Sequence, residues 1–186
     1  MATSDVALLL RMEHQNFSKL LDILSQHLDG LDQDQTPDYA LIEAILAYFR
    51  GYADECHHPK EDLVYRKLET RRRPDSEGLG DLVHDHADLA ALTQRAAERV
   101  QSAREAGKPL NAPLESDLRA FVESYRRHIA LEEKYFLTAA EQALSEDDWG
   151  EIEFDLFDRK DPLFDAGVEQ RFLDLRKQIE QMERRA

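Results

Sequence analysis

Apolar residues return every three or four positions along most of this chain, and no β-branched alternating run interrupts them, so the pattern is that of amphipathic helices. Leu10, His14, Phe17, Leu21 and Leu24 share a stripe that predicts a first helix over about 4–29, stopping at Gly30. After the loop DQDQTP, with Asp38 as the N-cap, a second helix runs to about residue 73. Its face is Ile42, Leu46, Phe49, Ala53, His57, Glu61, Val64 and Leu68, and Pro59 should kink it or break its hydrogen bonding locally. RRRPDSEGLG separates it from a third helix over about 79–106, aligning Leu79, Leu82, His86 and Leu89. GKPLNAP precedes a fourth over about 112–144, with Leu114, Leu118, Phe121, Tyr125, His128, Glu132 and Tyr135 facing inward.

Long helices with short connections predict an all-α fold, an up-down-up-down four-helix bundle over residues 1–145. Residues 146–186 read as a C-terminal helical extension. Ser145 and Asp148 cap a short helix through Phe157, and a final helix carries Val168, Phe172, Leu175, Ile179 and Met182. That seam either packs on the bundle or pairs with a second copy as a homodimer.

Composition narrows the function classes. The 186 residues carry 24 Lys+Arg against 39 Asp+Glu, a net charge of −15, which disfavours nucleic acid and anionic membrane surfaces. No apolar run of about 18 residues predicts a membrane span. The segment MATSDVALLLRMEHQ carries an acid where a signal peptide needs basic residues, and Cys56 has no second cysteine to pair with; both favour a cytoplasmic location.

The chemistry lies in how the histidines are spaced. His57/Glu61 and His128/Glu132 are i,i+4 pairs, each placing imidazole and carboxylate on one helix face. His14 precedes His57 by 43 residues and His86 precedes His128 by 42, so the second half repeats the first at an offset of 71 to 72. EH at 13–14 matches DH at 85–86, and HHPKEDLVY at 57–65 matches HIALEEKYF at 128–136. His14, His57, Glu61, His86, His128 and Glu132 all fall on apolar stripes, where ionisable groups are costly unless paired or metal-bound. Two metal ions, each with two imidazoles and a shared pair of bridging carboxylates, are the simplest compensation. Nitrogen and oxygen donors without a thiolate suit iron or manganese, and zinc also fits. His58/Asp62 and His84/Asp88 have the same spacing but lie off the stripes and lack repeat partners, so both read as solvated surface pairs. Cys56 reads as a small buried hydrophobe, with a redox role beside the metal as the sharper reading. Tyr65, Tyr125 and Tyr135 read as core packing or as hydrogen-bond donors to the ligands.

The segments EHQNFSKLL, CHHPKEDLVYRKLE, DHADLAAL and HIALEEKYF resemble the hemerythrin-like HHE cation-binding family over about residues 5–150. The resemblance implies a four-helix bundle around a non-haem di-iron centre with oxo or hydroxo and carboxylate bridges. His14 and His57 would then bind one iron, His86 and His128 the other, and Glu61 and Glu132 would bridge them. Oxygen-carrying members place two histidines four apart on the third helix, whereas here position 82 is Leu and position 90 is Ala. His84, two residues from His86, points elsewhere, so one iron is expected to keep an additional open position. The expected function is to bind or reduce a small diatomic or peroxide ligand such as O2, peroxide or nitric oxide. The alternative is a non-catalytic iron-responsive or oxygen-sensing module that meets a partner through its C-terminal helix.

Overall fold

Ser4 opens the first helix: its hydroxyl accepts from the Val6 N–H, and Asp5 lies against the positive end of α1 (Asp5–Asp29), which closes at Gly30. The computed structural model describes residues 4–31, 37–71, 82–156, 161–164 and 169–183. Asp38 caps α2 (Tyr39–Tyr48) by accepting from the Leu41 N–H, as its position predicts. α2 continues through a π-helical segment (Phe49–His57) into α3 (His58–Arg71). The expected irregularity at Pro59 is this wide turn: His58 N–H bonds the carbonyl of Ala53, five residues back, immediately before the residue that has no N–H to donate. α4 (Leu82–Glu105) follows, then α5 (Ala112–Leu131), capped by Asn111. A second π segment (Glu132–Phe136) leads into α6 (Leu137–Ala143).

These elements form an all-helical bundle in which α4 packs against α2 and α5, and α1 against α5. No strand occurs among the described residues, and no described helix is long and apolar enough to cross a membrane. The buried apolar residues fall into two clusters. The larger contains Phe17, Leu21, Leu24, Ile42, Phe49, Leu118, Phe121 and Tyr125; the smaller contains Val6, Leu10, Val64, Leu68, Phe136 and Leu137. On α1, on α2–α3 and on α5–α6 the chain passes from one cluster to the other through buried polar residues: Glu13 and His14, His57 to Glu61, and His128 with Glu132. The bundle is thus divided by a polar layer with apolar packing on either side. The hydrophobic effect fixes the helices around this layer but gives it no stabilisation of its own.

The extension packs onto the same chain. α7 (Glu146–Asp155) begins with the predicted capping box, in which Ser145 and Asp148 exchange side-chain and backbone hydrogen bonds. Its Trp149 and Ile152 join the smaller cluster, and Arg71 holds the buried Asp148 carboxylate in a fork. Asp161 accepts from Tyr48 Oη at 2.7 Å and from the N–H groups of Leu163 and Phe164. A 3-10 turn (Gln170–Phe172) then enters α8 (Leu173–Glu183); Phe172 of the turn and Leu175 and Ile179 of the helix are buried in the larger cluster. Leu79, Phe157 and Val168, and the side chains of Leu82 and Met182, lie outside the described residues.

Candidate metal centre

Helix geometry explains why one short stretch supplies so much of the polar layer. At about 100° per residue, Glu61 lies about 40° from His57 and about 60° from His58, on the arc between them. The π turn that ends at His58 carries both imidazoles inward: His57 is 1% exposed, His58 4% and Glu61 0%. α1 contributes His14, α4 contributes His86, and α5 with the second π segment contributes His128 and Glu132. All are buried.

The structure brings together all six residues expected from the spacing. His14 Nε2 lies 3.0 Å from His57 Nε2, 3.2 Å from Glu61 Oε1 and 3.4 Å from Glu132 Oε2. His57 Nε2 is 3.3 Å from Glu61 Oε2. His86 Nε2 is 3.3 Å from Glu132 Oε1 and 3.4 Å from Glu61 Oε2. His128 Nε2 sits 2.9 Å from Glu132 Oε1, yet not in hydrogen-bonding geometry. Two groups of potential ligands result, each with its donor atoms within 4.8 Å of one another: His14, His57, Glu61 and Glu132; and His58, Glu61, His86 and His128. Glu61 belongs to both.

His58 therefore corrects one expectation from the spacing. It is not a solvated partner of Asp62; its ring stacks on His86 with centroids 4.2 Å apart and faces His128 edge-on at 5.6 Å. The π segment, which a 3.6-residue stripe does not anticipate, turned it inward. A fifth imidazole is thus present, supplied by the residue after His57 rather than by α4, and the additional open position inferred from its absence loses that basis. His84 behaves as expected, 69% exposed and 3.8 Å from Asp88.

Four of the five inward-facing imidazoles have an acid behind them, and for three of these it comes from a different helix. His14 Nδ1 meets Glu133 at 2.8 Å, His57 Nδ1 meets Glu13 at 2.8 Å, and His86 Nδ1 meets Asp62 at 3.0 Å. His58 Nδ1 lies 3.5 Å from Asp54, which also accepts from Tyr125 Oη at 3.1 Å. A carboxylate behind an imidazole fixes the N–H on that side and leaves the other nitrogen's lone pair for a cation. Of the three tyrosines, Tyr125 thus reaches a potential ligand through one carboxylate, while Tyr65 packs near the Phe136 ring. Tyr135 is 39% exposed: the wide turn over Glu132–Phe136 directs Phe136 inward in its place. Cys56 is buried, as expected of a small hydrophobe.

In the metal-free layer, protons on the histidines stand in for cations beside the carboxylates. Burial pushes Glu132 up and Glu61 opposes its ionisation, yet the histidines outweigh both and hold it down at about 2. Burial opposes protonation of His86 as well, but Asp62, Glu132 and Glu61 raise it to about 11, and His14 and His57 are raised by their own carboxylates in the same way. His58 moves oppositely, pushed well down by burial and by its His86 and His57 neighbours. Glu61 Oε2, Glu132 Oε2 and His128 Nε2 are buried without a hydrogen-bond partner. Such orphaned polar atoms are expensive, and the two carboxylate oxygens each face imidazole nitrogens at 3.3 to 3.4 Å, an arrangement that bound cations satisfy.

A helical bundle whose core carries five imidazoles and two carboxylates in this way belongs to the metal-binding class of bundles. The chain is a member of the hemerythrin family: the model of the hemerythrin HHE cation-binding domain matches residues 6–140. Among curated proteins and among solved structures, nothing matches it significantly.

Proposed function

We propose that the chain binds two iron ions and that the loaded centre binds or reduces a small oxidant: O2, peroxide or nitric oxide. His14 and His57 would hold one ion, His58, His86 and His128 the other, with Glu61 and Glu132 serving as carboxylate donors between them. The observation that carries this reading is the convergence of two ligand groups on Glu61, with orphaned carboxylate and imidazole atoms between them. The donors are nitrogen and oxygen throughout, which fits iron; manganese and zinc share the preference.

Iron would supply the electrons that an oxidant takes up. The chain supplies the setting. Two imidazoles would serve the first position and three the second. The ring of Phe17 stands edge-on to His57 at 4.7 Å, and apolar clusters close the layer from both ends, so water enters with difficulty. Between α4 and α5 a cleft of 660 Å³ lined by Leu89, Ser124, Arg127 and Leu131 reaches His128, wide enough for a diatomic or peroxide.

The test is metal content by mass spectrometry after anaerobic loading with Fe(II), followed by rapid mixing with peroxide. Two irons per chain, oxidised faster than free Fe(II), is the expected result. Less than a tenth of an ion per chain after loading would overturn the metal reading. Two ions that are inert to every oxidant would leave a binding module.

Loading should also be coupled to pH. His14, His57 and His86 have raised proton affinities in the metal-free layer, so protons compete for the same lone pairs below those values. Metal binding is expected to release protons and to tighten about tenfold per pH unit for each proton released. A zinc competition series from pH 6 to pH 8, with an indicator dye counting protons, checks the sign.

A further inference from the structure

Lys60 is a lysine inside the bundle, 6% exposed, three residues beyond His57. Its ammonium is ion-paired with Glu13 Oε1, lies 3.5 Å from Tyr52 Oη and sits 5.3 Å from the centre of the Tyr52 ring. Glu13 joins this group to the metal layer: Oε2 meets His57 Nδ1 at 2.8 Å, while Oε1 accepts from Tyr52 Oη at 2.7 Å. Orienting His57 requires the Glu13 carboxylate, and Tyr52 already satisfies its second oxygen. A buried ammonium carries a desolvation penalty, so its presence calls for an effect that orientation alone does not provide.

That effect is charge. Three other acids stand behind imidazoles of the layer, and each is partly open to water: Asp54 is 14% exposed, Asp62 29% and Glu133 32%. Glu133 also has a cation, Arg11, but that residue is 29% exposed. Solvent screens those charges, whereas Glu13 and Lys60 are both buried and act on the layer nearly unscreened.

We propose that Lys60 is a positioning residue that, by compensating Glu13 behind His57, sets the reduction potential of the metal position held by His14 and His57. The proposal rests on the reading of the layer as a redox-active iron site. Reduction of a ferric ion to ferrous by one electron adds negative charge to the layer. A nearby ammonium favours that change and an uncompensated carboxylate opposes it. Glu13 bare of Lys60 also draws harder on the His57 N–H, making the imidazole a stronger donor and favouring the ferric ion.

The two variants should therefore move the potential in opposite directions. Lys60→Met leaves the carboxylate uncompensated and lowers it; Glu13→Gln leaves the ammonium uncompensated and raises it. The double variant lacks both charges and falls between them. The experiment is a dithionite titration of the iron-loaded full chain followed by visible absorption, with zinc affinity by chelator competition as a readout free of redox. Zinc binding should weaken roughly 10- to 100-fold in Glu13→Gln, which loses the carboxylate behind His57, and hold or tighten in Lys60→Met. A merely structural Lys60 would weaken zinc in both variants and shift both potentials the same way, and that result, or unmoved potentials, overturns the proposal. Should Lys60→Met fail to fold, the double variant decides, since its potential must lie below that of Glu13→Gln. A wild-type chain that takes up no iron overturns the reading of the centre itself, whereas a loaded wild type with unresponsive variants overturns the role of Lys60.

Discussion

After dialysis against a chelator that leaves the wild-type chain fully loaded, His58→Ala is expected to retain one metal ion in place of two, while His84→Ala retains both. The two histidines make a controlled pair, because each has an aspartate four residues further on. His84 is exposed at 69% and contacts that aspartate at 3.8 Å, an arrangement in which solvent outcompetes the pair. His58 is 4% exposed and stacked on His86, and its donor atom lies within 4.8 Å of those of Glu61, His86 and His128. Its burial also drives it to the neutral form, the form that offers a lone pair to a metal. Removing it leaves a gap about one imidazole wide and takes one of three nitrogens from its group, so the second ion should leave first. Metal per chain by mass spectrometry reads the result. Equal retention by both variants would return His58 to ring packing.

His58 also marks where sequence reading stopped. The helical stripes located the elements to within a few residues, because burial of one face is written into the 3.6-residue period: α1, α4 and the segment from Ala112 to Ala143 match the expected spans. The six recurring candidate ligands are legible for the same reason, since each lies on a stripe and has a counterpart in the other half. A strict stripe cannot hold two adjacent residues, which are about 100° apart, so the stripe through His57 and the lack of a repeat partner place His58 outward. Two wide turns change that register locally, bringing in His58 at one and exchanging Tyr135 for Phe136 at the other. HHxxE was the available signal: a carboxylate one turn on from adjacent histidines lies between them.

The supporting acids were hidden for another reason. Glu13 is next to His14 but serves His57, Asp62 follows Glu61 but serves His86, and Glu133 follows Glu132 but serves His14. In these three cases the sequence neighbour of one candidate ligand supports another on a different helix. Such a crossed arrangement depends on how helices are set against one another, which period alone does not encode. It also means that the layer is one network, so changes within it will not be additive.

Glu61→Gln is expected to have the largest effect of any single change: it should lose both ions and the stability they confer. Glu61 is fully buried and is the residue common to both ligand groups, within 3.2 to 3.4 Å of His14, His57 and His86. The amide keeps the shape and removes the charge, so packing is retained while two cations lose a shared anion. The proton balance of the metal-free layer changes as well: Glu61 is one of the groups that hold His14, His57 and His86 protonated, and without it their burial pushes them toward neutrality. Wild-type chain with metal at 1,000 times its dissociation constant should gain about 4 kcal/mol against unfolding per site, and Glu61→Gln should gain almost none. Urea unfolding with and without zinc, alongside metal content, separates the two contributions. Asp62→Asn is the matched control, since it removes a charge one residue away that supports His86 without belonging to either group, and it should weaken loading only roughly 10- to 100-fold. If Glu61→Gln retained both ions and their stabilisation, the carboxylate would not be shared, and the layer would have to hold its ions through the imidazoles and Glu132.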